Sequence, residues 1–214
     1  MSLYGLCTEN KQLILIKKMK TIYAFDFDGT LTTRDTLIEF TKYTFGKYWF
    51  FRAIMCHLHI LILMKLHLYP NGKAKERFFK YLIRGLPVDI FGDICDEFVD
   101  GNRHLLRQKG MEAVRQAASS GCPVVIVTAS IEQWVAPFFN GIEGVTIIGT
   151  KPEIVEDRIT GNFATPNCYG KEKVRRLLEL YPDRDSYRLI AYGDSRGDRE
   201  LLAEADEAHY KPFR

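Results

Sequence analysis

Four short apolar runs fix the fold class of this chain. They are Ile22-Tyr23-Ala24-Phe25, Val124-Val125-Ile126-Val127, residues 145–148, and Leu189-Ile190-Ala191-Tyr192. Each is too short for a buried helix and rich in β-branched or aromatic residues, so each reads as a strand buried on both faces. Segments of helical character lie between them, at residues 111–119, 131–139, 171–181 and 198–205. Buried strands alternating with helices predict an α/β fold, a Rossmann-like parallel sheet as the middle of three layers.

Residues 33–107 interrupt that alternation. The stretch has helical character throughout and is far too long for a crossover connection, so it reads as an inserted helical cap. Gly46, Pro70-Asn71-Gly72 and Gly85-Leu86-Pro87 divide it. The expected organisation is a core of residues 21–33 and 108–214 with a cap at 34–107. Residues 154–163, with Thr160-Gly161-Asn162, read as a small hairpin beside the sheet. Residues 1–20 read as a tail, because the lysines follow the apolar Leu13-Ile14-Leu15-Ile16 run, the reverse of a signal peptide.

Composition narrows the function. The chain is 46% hydrophobic and 27% charged, enough to bury a core. A net charge of +3, with no basic run interleaved with aromatics, gives no footprint for a nucleic acid. The five cysteines are scattered and include no C-x-x-C pair, which argues against a zinc site or a disulfide framework and for free thiols in a reducing cytoplasm.

Chemistry gathers where the strands end. Asp26-Phe27-Asp28-Gly29-Thr30 follows the first run, and an extended chain puts its alternate side chains on one side. Two carboxylates therefore converge at the carboxyl edge of the sheet, where open α/β sheets bind ligands, and Gly29 lets the chain turn there. Adjacent anions repel and call for a cation or a proton. Thr128 ends the second run, with Ser130 just beyond; alone, either could be a helix N-cap. Lys171 opens a helix after Tyr169-Gly170, and Asp194 and Asp198 follow the last run. Carboxylates, a lysine and a hydroxyl at one edge suit a hard divalent cation and a phosphoryl group.

These residues, in this order, resemble the haloacid dehalogenase superfamily of phosphatases. The cap position and Asp157-Arg158-Ile159-Thr160-Gly161 before Gly170-Lys171 resemble its phosphoserine-phosphatase-like branch, subfamily IB. The resemblance implies a Mg2+-dependent phosphomonoesterase. Asp26 would be phosphorylated, with Asp28 as acid and then base. Thr128 and Lys171 would hold the phosphoryl group; Gly29 and Ser130 would stand beside the substrate. The metal would lie among Asp26, the Asp28 carbonyl and Asp194, supported by Asp198. Many relatives carry asparagine where this chain has Gly197. A phosphomutase is an alternative within the superfamily, and a non-catalytic binding protein one outside it.

The cap should choose the substrate. Asp35 resembles the acidic cap-entry residue of phosphoserine phosphatases, and reads equally as a helix N-terminal aspartate. Residues 42–84 hold nine Lys and Arg against one acid, Glu76, together with many aromatics and the run Ile60-Leu61-Ile62-Leu63-Met64. A buried helix with a basic rim is the simplest reading. A membrane span is rejected, since the stretch without Lys or Arg, 53–64, falls short of the ~20 residues needed. Peripheral membrane contact is the third reading; Lys47, Arg52, His57, His59, Lys65 and His67 not sharing one helical face counts against it. In its favour, the cap also resembles those of bacterial phosphatidylglycerophosphate phosphatases. His57, His59 and His67 read as ordinary cap residues. The expected partner is a phosphorylated small molecule or lipid headgroup, met in the cytoplasm or at the inner face of the membrane.

Overall fold

A computed structural model describes residues 20–214; the tail expected at 1–20 lies outside them except for Lys20, which opens the first strand. The elements run β1 (Lys20–Phe25), α1 (Thr36–Lys65), α2 (Asn71–Ile83), α3 (Val88–Asn102) and α4 (Gln108–Ser119). Then come β2 (Val124–Ile131), the single turn α5 (Glu132–Val135), β3 (Val145–Thr150), β4 (Pro152–Val155) and β5 (Arg158–Phe163). The chain closes with α6 (Lys171–Leu180), β6 (Tyr187–Gly193), α7 (Arg199–Glu204) and β7 (Glu207–Tyr210).

Five strands form one sheet in the order β3-β2-β1-β6-β7, every neighbouring pair parallel. Because successive side chains point to opposite faces, Ile22 and Ala24 pack with Val125, Leu177 and Leu201 on one side. Phe25 packs with Ile126, Val114 and Trp134 on the other. Covering both faces explains why the strands are unbroken apolar runs. Register aligns the strand ends: Phe25 lies opposite both Ile126 and Tyr192. Asp26, Thr128 and Asp194 therefore leave the sheet at one edge.

The segment expected as a helix at 131–139 is different. Ile131 closes β2, α5 is one turn, and Ala136–Phe139 is a 3-10 turn. Pro137 lacks the N–H that a continuing helix would need. The insertion between β1 and α4 is α1, α2 and α3. α1 runs through Gly46 with a kink, as that residue takes φ 78° and ψ 164°. β4 and β5 pair antiparallel as the small hairpin.

Candidate active site

Asp26 sits one residue past β1 and is 5% exposed. Its Oδ1 accepts from Lys173 Nζ at 2.5 Å and its Oδ2 from Thr30 Oγ1 at 2.9 Å. Burial pushes its pKa up to about 7, against the pull of the Lys173 charge. Two residues on, Asp28 is gripped from two elements. Thr36 at the start of α1 donates from its backbone N and its Oγ1, both 2.7 Å from Asp28 Oδ1. Ser130 Oγ donates to Oδ2 at 2.5 Å. Trp134 Nε1 in turn donates to Thr36 Oγ1 at 3.2 Å. Burial raises the Asp28 pKa, and the nearby Asp35 charge adds to the rise.

The lysine brought to these carboxylates is Lys173, not Lys171. Lys171 is the exposed first residue of α6, whereas Lys173 is 1% exposed. All three of its donors are spoken for: Asp26 Oδ1, Val127 O at 2.7 Å and Asp198 Oδ1 at 2.6 Å. Burial disfavours its charge, but Asp26 and Asp198 outweigh that and hold it protonated. Helical periodicity carried the signal that the spacing from Gly170 hid. Lys173, Arg176 and Leu177 share the buried face of α6, and Lys171 turns away from it.

Asp198 is committed to holding its neighbours. Besides Lys173, it accepts from Ser195 N at 3.0 Å, Ser195 Oγ at 2.9 Å and Asp194 N at 3.2 Å. Burial raises its pKa, yet the Lys173 contact overrides this and the net shift is downward. Asp194 pairs with Arg214 through Oδ2, while its Oδ1 is buried without a partner. Gly29 turns beneath it with φ 83°; a Cβ there would lie 2.6 Å from Asp194 Oδ2. Thr128, fully buried, accepts from Ser130 N at 3.0 Å. Asp35 caps α1, accepting from Leu37 N at 3.0 Å and Ile38 N at 3.3 Å. Gly197, where asparagine was expected from the resemblance, lies under Tyr169: a Cβ would meet that ring at 2.4 Å.

The residues present fit a hard cation. Carboxylate oxygens of Asp26, Asp194 and Asp198 lie within 4.8 Å of one another, and the orphaned Asp194 Oδ1 points to an additional partner. The carboxylates floor a cavity of about 460 Å3. Asp35, Asn71, Lys75 and Tyr169 line it, but much of its cap side is apolar, with Phe50, Ile54, Leu61 and Met64 of α1 and Phe78 of α2.

The family described as haloacid dehalogenase-like hydrolase matches residues 23–203. Protein CicA of Caulobacter vibrioides is 36% identical over 195 residues, covering 90% of this chain and 86% of that one. Among solved structures, a Bordetella pertussis Tohama I protein described as of unknown function superposes with a TM-score of 0.73 at 22% identity, over 86% of each chain. A phosphoserine phosphatase from T. onnurineus superposes with a TM-score of 0.56 at 20% identity, over 90% of this chain and 84% of that one.

Proposed function

Since the chain belongs to the haloacid dehalogenase-like hydrolases, we propose that it is a Mg2+-dependent phosphatase that hydrolyses a phosphomonoester through a phosphorylated Asp26. The observation that carries this is Asp26 itself, buried at the floor of the cavity and bonded to a protonated lysine, with a second carboxylate, Asp28, two residues on.

In this reading Asp26 attacks phosphorus, the phosphorus–oxygen bond to the leaving group breaks, and Asp28 gives that oxygen its proton. Water then attacks the phosphorus of the phosphorylated Asp26. Asp28, now a carboxylate, takes a proton from that water, and the bond between the Asp26 oxygen and phosphorus breaks. The raised pKa of Asp28 suits a group that must start as an acid. Lys173 faces the phosphoryl charge while orienting Asp26, and Thr128 offers a hydroxyl beside it. Asp26, the Asp28 carbonyl and Asp194 would hold Mg2+, with Asp198 behind them. The ion would supply charge neutralisation for the transferring group.

Phosphoserine fits the cavity less well than a phosphate ester with an apolar body. Serine brings an ammonium and a carboxylate. The cavity has polar groups for them in Asp35, Asn71 and Lys75, but Asp35 already caps α1 and most of the cap wall is hydrocarbon. The test is phosphate release with and without Mg2+ from an aryl phosphate, O-phosphoserine, sugar phosphates, nucleotides and a phosphomonoester lipid. Release that needs Mg2+ and vanishes in Asp26→Asn supports the reading. A folded, Mg2+-loaded protein that releases phosphate from none of them overturns it.

A further inference from the structure

Beyond the Gly46 kink, α1 carries Tyr48, Phe51, Met55, Leu58, Ile62 and Leu66 in line. They are spaced three or four residues apart, so they form one stripe along the helix and its C-cap. All six are solvent-exposed, from 42% at Leu58 to 74% at Tyr48. Over its most apolar 18-residue window α1 is only 11% buried, which is the reverse of a core helix. At about 100° per residue, Lys47 and Lys65 flank the stripe on one side and Arg52 and His59 on the other. The basic residues thus need not share a face: they border the apolar one.

Two other faces of this helix are occupied. Ala53 and Ile60 are buried, and His57 stacks edge-on against Phe78 and Tyr81 of α2. Phe50, Ile54 and Leu61 wall the cavity above Asp26. The stripe stays exposed, as do Trp49 at 47% and Leu63 at 38% beyond its Arg52 border, and the cavity lies on the neighbouring side of the same helix.

We propose that this stripe seats the cap on an anionic lipid surface, with α1 lying along the interface. Charge selects that occupant. Residues 42–84 hold nine Lys and Arg against Glu76 alone, so apolar side chains meet acyl chains while the flanking cations meet anionic headgroups. A second copy of the chain suits the stripe poorly, because both borders of the stripe are basic and a two-fold contact would set one basic border against another. Crossing the bilayer would strip α1 from α2 and open the cavity wall. The docking surface stands independently of the enzymatic reading. That it also brings a membrane-borne phosphomonoester to Asp26 rests on that reading.

The experiment is co-sedimentation of the full chain with phosphatidylcholine vesicles, with and without phosphatidylglycerol. Wild type and Asp26→Asn are expected to pellet with the anionic vesicles, less so at high salt. The double variant Phe51→Glu/Ile62→Glu is expected to bind at least about tenfold more weakly, with unchanged circular dichroism and unchanged turnover of a soluble aryl phosphate. Wild type remaining in the supernatant, or wild type and double variant pelleting alike, would overturn the proposal. So would a wild-type dimer in ultracentrifugation that the double variant dissolves. Loss of turnover in Asp26→Asn with vesicle binding intact separates the enzymatic reading from the docking one.

Discussion

Lys173 is the only buried lysine among the described residues, and its ammonium is shared between two carboxylates and a carbonyl oxygen. Removing it strands Asp26 and Asp198 as buried anions. Lys173→Met is therefore expected to cost about 3–5 kcal/mol of stability and to abolish turnover, while Lys171→Met leaves both unchanged. Paired denaturant melts and phosphate-release assays would check this, and the reverse order of effects would return the role to Lys171. Thr36 makes a subtler case. Its hydroxyl accepts from Trp134 and donates to Asp28, so Thr36→Val removes one of the two bonds to Asp28 Oδ1 and keeps the backbone one. Turnover of an alkyl phosphate, whose leaving oxygen needs a proton, is expected to fall about tenfold, while that of a nitrophenyl phosphate stays nearly constant. Equal losses on both would show that Thr36 only holds the fold. Asp26, Asp28, Thr128, Asp194 and Asp198 could be placed at one edge from sequence because each stands in or within five residues of the carboxyl end of an apolar strand run. Lys173 and Thr36 could not, because a helix selects its inward residue by rotation, and that angle depends on where the helix packs.

The strands were legible in sequence because burial on both faces leaves unbroken apolar runs, as in Val124-Val125-Ile126-Val127. β7 was not, because an edge strand of alternating burial, Glu-Ala-His-Tyr, carries no such run. Besides its backbone pairing with β6, a carboxylate at its start helps to hold it. Asp206 accepts from Leu189 N at 2.7 Å and from Arg184 Nη2 at 2.8 Å, and these bonds hold its pKa below 3.8. The folded value is the lower one, so the stabilisation is complete above pH 3.8 and is lost as pH falls through the folded value. Asp206→Asn is accordingly expected to lower Tm at neutral pH and to flatten the acid limb of the Tm–pH curve below about pH 4. A limb as steep as wild type would mean that Asp206 does not pin β7. The α1 kink rests on backbone alone. Gly46 takes φ 78° and ψ 164°, a region closed to other residues, and a Cβ there would touch nothing within 4 Å. Gly46→Ala is expected to cost about 1–3 kcal/mol without any clash, which a denaturant melt would register; an unchanged midpoint would show that α1 tolerates a straight path.

Cap and core meet at two backbone seams. At the entry, Thr33 N donates to Leu105 O at 2.8 Å and Arg107 N to Leu31 O at 2.7 Å. At the far side, the loop between α2 and α3 is laced to the hairpin: Gly85 N to Ile159 O at 2.7 Å, Ile159 N to Leu86 O at 2.9 Å, and Val88 N to Asp157 O at 3.0 Å. Such seams leave little trace in a sequence, since main-chain bonds ask for no particular side chain; the hairpin could be foreseen, its docking on the cap could not. One residue does mark it. Gly161, at φ 86°, lies against Lys80 of α2, and a Cβ there would fall 2.7 Å from Lys80 Cα, a backbone atom that cannot swing aside. Around it Lys80 Nζ donates to Asn162 Oδ1 at 2.9 Å and Phe163 N to Glu76 Oε1 at 2.8 Å. Beyond Gly46, α1 walls the cavity together with Phe78 of α2, so how α2 is held bears on the cavity. Gly161→Ala is expected to pry α2 from β5 at a cost of about 1–3 kcal/mol, and to speed proteolysis in the cap. Because the Asp26 cluster lies on other elements, kcat on a soluble aryl phosphate should hold while KM rises. A fall in kcat with unchanged KM and unchanged proteolysis would mean that this seam supports the chemistry itself and not the cavity wall.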